Sequence, residues 1–146
     1  VDGHHLPPEV VQSLVRAKTP QRCILVSDES GLAGLPPGTY PSSGGGVDIL
    51  EDGRLVIAGQ RQLLAGASRP ICVGIANVMK FAGVDLRTAV DMASLHPERL
   101  LERKSCRLRP GDAADLVLFD VDLDNADGLA IRATVADGTL VHGELS

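Results

Sequence analysis

Apolar residues recur along this chain at helical spacing in some stretches and as short continuous runs in others. After Pro7-Pro8-Glu9 they fall at Val10, Val11, Leu14 and Val15, with proline and an acid in the first turn, where unpaired N–H groups favour them. The spacing predicts a helix over roughly 8–18. Thr19-Pro20 closes it, and Cys23-Ile24-Leu25-Val26-Ser27 is an apolar run of strand length that ends in Asp28. A helix feeding a buried strand is the second half of a βαβ unit, so the polar cluster Asp2-Gly3-His4-His5 falls where the preceding strand would end.

From Glu29 to Gly46 neither pattern holds. That stretch carries Gly31, Gly34, Pro36, Pro37, Gly38, Pro41 and the triplet Gly44-Gly45-Gly46, a long irregular loop that suits a lid and a linker equally. Val47–Leu50 and Arg54–Ala58, joined by Glu51-Asp52-Gly53, read as a hairpin with Asp-Gly at the turn. Pro70 opens a helix with Ile71, Val73, Ile75, Val78, Met79 and Ala82 apolar, stopped by Gly83, and Ser68 could cap its start. A second helix is expected over Leu86–Ser94, with Ala89, Val90 and Met92 inward, and a short third from Pro97. The tail turns to strands over Asp115–Asp120 and Ile131–Ala136, the latter joined through Asp137-Gly138 to Thr139–His142. No repeat of fixed period occurs.

Composition narrows the class. At 146 residues and 44% hydrophobic content the chain is long enough for one domain with a core. Two Phe, one Tyr and no Trp leave packing to aliphatic side chains, which suits strands covered by helices, hence α/β. A net charge of −5 with cations scattered singly argues against nucleic acid, and no apolar run approaches the ~18 residues that span a bilayer. Cys23, Cys72 and Cys106 are odd in number and lack C-x-x-C spacing, so they read as reduced thiols of a soluble, cytoplasmic protein. Opening at Val1 inside a motif, the chain reads as a piece of something longer.

Asp28 is the candidate that chemistry favours. A carboxylate at the end of an apolar strand, before a Gly/Pro-rich loop, is aimed at the mouth of a site and can transfer protons. The same position also suits an aspartate that only caps a turn. His4 and His5 are neighbours on an extended chain and point apart, so they are not a chelating pair. His96, before a proline, reads as structural, and His142 lies on a tail strand. Neither H-x-H nor H-E-x-x-H occurs.

Six blocks, in order, resemble the amidohydrolase superfamily and most closely its N-acetylglucosamine-6-phosphate deacetylases. They are Asp2-Gly3-His4-His5, Leu25-Val26-Ser27-Asp28, the run from Ala33 to Tyr40, Leu64-Ala65-Gly66-Ala67-Ser68, Leu95-His96-Pro97-Glu98-Arg99, and the run from Leu108 to Val117. The last is shared widely; the first five are more specific. The resemblance covers nearly the whole chain but only about the last two-fifths of such an enzyme. It implies an α/β fold made of the C-terminal part of a (β/α)8 TIM barrel, its last two strands and helices, plus strands of a small β-sandwich. Residues 1–45 would hold the region of strands 7 and 8 with an active-site loop, 46–62 an inserted β-hairpin, 63–107 the last barrel helices, and 108–146 the sandwich strands.

By the same resemblance Asp28 is the catalytic acid and base, while His5 and the loop Leu64-Ala65-Gly66 bind substrate. Gly66 is equally well explained as a loop glycine needed for its backbone angles. A divalent metal, zinc by the family's pattern, is implied, with its glutamate and two histidine ligands upstream of Val1, so this chain alone should be inactive. The partners implied are a small amino sugar substrate and a second copy in a homodimer, or the missing N-terminal portion. One departure stands out: Glu29 occupies the place after the aspartate where the family usually has alanine, and a second carboxylate there would repel a phosphate. Hydrolysis of another amide or cyclic amide is one alternative, and a non-catalytic α/β scaffold is another.

Overall fold

The computed structural model describes residues 1–103, 108–124 and 128–145. Helix α1, Pro8–Lys18, forms as the apolar spacing predicts and turns Val11 and Val15 inward. After a 3-10 turn at Pro20–Arg22 the chain runs through residues 23–28 to a four-stranded antiparallel meander: β1, Gly38–Ser42; β2, Gly45–Ile49; β3, Leu55–Ile57; and β4, Gln60–Leu64. Three helices follow, α2 at Ile71–Ala82, α3 at Leu86–Ala93 and α4 at Leu95–Leu100. A three-stranded antiparallel sheet ends the chain, with β5 at Leu116–Val121, β6 at Leu129–Ala136 and β7 at Thr139–Gly143. The architecture is mixed α/β.

Two cores hold these pieces. The larger gathers Val11 and Val15 of α1, Leu25, Ile75 and Val78 of α2, Ala89 and Met92 of α3, and Leu129 from the start of β6. Each large apolar side chain buried there contributes roughly 1.5–3 kcal/mol. Leu129 ties the tail sheet to the helices. The smaller core, Val47, Ile49 and Leu55, lies under the meander with Leu32, Tyr40 and Ala65 packed against it.

Several expectations change on contact with the fold. Cys23–Ser27, expected as a strand, carries no ladder, because a strand exists only where a neighbour supplies N–H and C=O partners, and no described segment lies beside it in register. It is held sideways instead: Leu25 N–H donates to Met92 O at 2.9 Å and His96 Nδ1 lies 2.8 Å from Cys23 O. Val26 remains 65% exposed.

The stretch 29–46, expected to be irregular, contains β1 and the start of β2. Pro41 is tolerated because β1 is an edge strand, and Gly46 sits in β2 because a Cβ there would lie 2.8 Å from Ala58 Cβ. Strand β4 was hidden by its polar Gln60-Arg61-Gln62, and it takes Leu64 out of the expected loop.

Helix α4 starts at Leu95, two residues before the expected Pro97, and α2 has Pro70 at its cap position with no side-chain hydrogen bond, so Ser68 does not cap it. Gly83 ends α2 in the left-handed conformation, as expected. Tail strands β5 to β7 match the expected ones within two residues, with Asp137 and Gly138 both at positive φ in the turn. Cys23 is a free thiol; Cys106 lies outside the described residues. Among the described residues no helix is long and apolar enough to cross a membrane.

Candidate active site

The turn 2–5 is built around a buried carboxylate. Asp2 is 9% exposed, and its Oδ1 accepts from the backbone N–H of His4 at 3.2 Å and of His5 at 3.1 Å. Its Oδ2 lies 2.7 Å from Nδ1 of the His5 ring. Burial raises the carboxyl's pKa, but the bonds to the His5 side chain and to the two backbone amides outweigh it and hold Asp2 at about 2, below the ordinary 3.8. Gly3 makes this closure possible with φ 87°. From the helix side, Asn77 of α2 donates through Nδ2 to Val1 O at 3.0 Å.

Sequence reasoning had singled out His5 and passed over Asp2 and Asn77. The i, i+3 spacing of an Asp and a His around a glycine was the available signal for the first. A lone amide on an otherwise apolar helix face was the signal for the second. His4 is exposed. Asp52, at the turn between β2 and β3, is held below the ordinary carboxylate range by its hydrogen bond to Arg54.

Asp28 is positioned by backbone rather than by side-chain contacts. It adopts φ 53°, a left-handed conformation that its short polar side chain tolerates better than most, and it is exposed. Just beyond it, Glu29 pairs with Ala67 in an isolated parallel bridge and Ser30 N–H donates to Ala67 O at 2.8 Å. This staple brings the Asp28 segment against the end of the 64–67 run. Gly66 has φ 117°, and a Cβ on it would lie 3.3 Å from Ser30 Cβ, so both the backbone angle and the close approach call for glycine. Leu64 and Ala65 are half-buried, with Ala65 N–H donating to Leu55 O.

A cavity of about 570 Å³ lies elsewhere, against Gln21, Arg87, Asp91, His96 and Arg99. Two of about 450 Å³ border the tail sheet. Neither Asp28 nor His5 lines any of the three, and both are exposed. No three His, Cys, Asp or Glu side chains among the described residues gather at metal-holding distance. The residues present therefore do not fit a metal centre by themselves.

No family model matches the chain. Over 124 residues it is 33% identical to a provisionally named N-acetylgalactosamine-6-phosphate deacetylase of Escherichia coli strain K12, covering 84% of this chain and 72% of that protein. The chain belongs to the amino sugar 6-phosphate deacetylase family. The human N-acetylglucosamine-6-phosphate deacetylase is 31% identical over 142 residues, 96% of this chain but 32% of its own length. Among solved deacetylases, the N-acetyl-D-glucosamine-6-phosphate deacetylase of Mycobacterium smegmatis superposes with a TM-score of 0.83 at 27% identity, over 97% of this chain and 36% of that one. An aspartate-to-alanine variant of the same enzyme, solved in complex with N-acetyl-D-glucosamine-6-phosphate, superposes with a TM-score of 0.81 at 26% identity. The chain thus spans about a third of these last deacetylases.

Proposed function

We propose that these residues form part of a metal-dependent hydrolase that removes acetate from N-acetylglucosamine-6-phosphate or a closely related N-acetyl amino sugar phosphate. Asp28 takes a proton from the water that adds to the acetamide carbonyl carbon. It then delivers that proton to the nitrogen as the C–N bond breaks, so that acetate and a free amine leave. His5 and the backbone at Leu64, Ala65 and Gly66 hold the sugar phosphate. A divalent metal, zinc by the family resemblance, would supply carbonyl polarisation and a more acidic water. Its ligands belong to polypeptide outside the described residues.

The observation that carries this reading is the likeness, across nearly the whole chain, to a deacetylase solved with its N-acetyl sugar phosphate. We assign residues 1–37 and 65–103 to the end of a (β/α)8 barrel, β1 to β4 to a sheet inserted in it, and β5 to β7 to a sandwich. Exposed apolar residues support association with further polypeptide, either more of the same protein or a second copy: Val26 on the barrel-side segment, and Val117, Leu118 and Val141 on the tail sheet. A cytoplasmic location fits the free thiol of Cys23.

A second reading, hydrolysis of a different amide, is favoured by Glu29, an exposed carboxylate directly after Asp28. Amine release by the complete protein containing these residues, assayed on phosphorylated and unphosphorylated N-acetylglucosamine and N-acetylgalactosamine and on a cyclic amide, separates the two. We expect the highest kcat/KM on a 6-phosphate. Turnover of the cyclic amide alone, or of nothing, overturns the first reading.

A further inference from the structure

The Asp2 carboxylate makes three hydrogen-bonding contacts within its own turn, and one of them ends on a ring that is half in solvent. Oδ1 holds the two backbone amides of His4 and His5, and Oδ2 faces His5 Nδ1 at 2.7 Å. The Asp2 side chain is 6% exposed and that of His5 is 42% exposed. An ionised carboxylate can only accept, so the proton in that contact has to sit on Nδ1. The two ring nitrogens lie on opposite edges, which leaves Nε2 as the nitrogen directed away from Asp2.

We propose that Asp2 is a positioning residue that fixes the tautomer and orientation of His5, so that Nε2 is the atom offered to substrate. This deepens the deacetylase reading and rests on its assignment of His5 to the substrate. With the ring neutral, Nε2 accepts from a sugar hydroxyl; with the ring protonated, it donates to a phosphate oxygen while Asp2 balances the charge on the other edge. The turn is braced for this from both sides, by Gly3 at φ 87° and by the bond from Asn77 Nδ2 to Val1 O.

Asp2→Asn tests it with almost no change of shape. The amide oxygen keeps the two backbone N–H groups, which turns the NH2 toward His5 Nδ1 and forces the proton to Nε2. ¹⁵N NMR of the imidazole in the 146-residue chain should show Nδ1 protonated and Nε2 bare in the native ring, with the two signals exchanged in the variant. In the complete protein the same substitution should raise KM for the N-acetyl sugar phosphate roughly tenfold, the size of one charge-assisted hydrogen bond, and change kcat less.

A native neutral ring that carries its proton on Nε2 and not on Nδ1 overturns the inference, as does an Asp2→Asn protein with unchanged KM. If the variant fails to fold, the native tautomer decides alone. The ring measurement needs no turnover, so its failure is distinct from failure of the deacetylase reading, which shows as no amine release by the unsubstituted protein.

Discussion

Asp2 and Asp28 are two aspartates at the ends of two successive segments, and the fold treats them in opposite ways. Asp2 is buried, bonded to three N–H groups and held at a pKa of about 2. Asp28 is exposed, at φ 53°, two residues before the backbone bond from Ser30 N–H to Ala67 O. A carboxylate held ionised by three hydrogen bonds and a pKa of about 2 can orient a neighbour but is a poor proton carrier at neutral pH. One left open to its surroundings retains that capacity. The contrast separates a structural anion from a candidate proton carrier, although the two residue types are identical.

The sharpest way to break that contrast is Asp28→Asn. Asparagine also tolerates the left-handed conformation, so the chain's unfolding free energy from urea titration should change by no more than about 0.5 kcal/mol. In the complete protein kcat on an N-acetyl sugar phosphate should drop roughly 10²–10⁴-fold; an unchanged rate removes Asp28 from the chemistry and revives the scaffold alternative.

Met92→Ala probes what supports each aspartate. Met92 is fully buried beneath the Asp28 segment, and its carbonyl holds Leu25 N–H. The cavity should cost about 2–5 kcal/mol in urea unfolding. Hydrogen exchange at Leu25 should accelerate more than at His5, whose amide is tied to Asp2. Equal acceleration would mean that the two segments do not open independently.

The smallest effect is on acid stability. Because the folded pKa of Asp2 lies below 3.8, its contribution is fully present above about pH 4 and is lost as pH falls toward 2. Allowing for solvent screening, it is on the order of 1 kcal/mol. Urea midpoints at pH 5 and pH 2.5 should converge in Asp2→Asn relative to the unsubstituted chain, and parallel behaviour of the two would remove Asp2 from the acid limb.

Legibility followed the range of the interaction involved. Helix α1, the αL stop at Gly83 and the Asp137-Gly138 turn were readable because each depends on residues within a few positions of one another. Strands β1 and β4 were not, because the proline-containing Gly-Thr-Tyr-Pro-Ser and a Gln-Arg-Gln run have little strand character until β2 and β3 supply partners. Asp28 was readable as a candidate from its place after an apolar run, whereas Asp2 was hidden inside a motif that seemed to be about histidine.

By itself, the sequence of this chain determined its local elements, its apolar faces and the motif order that places it among the amino sugar phosphate deacetylases, since spacing and composition act over short range. Only the tertiary structure decided that Cys23–Ser27 finds no ladder, that Gly66 is pressed against Ser30, and that one aspartate is buried while the other is open. Those outcomes depend on which distant backbone comes within about 3 Å, and no local pattern encodes that distance.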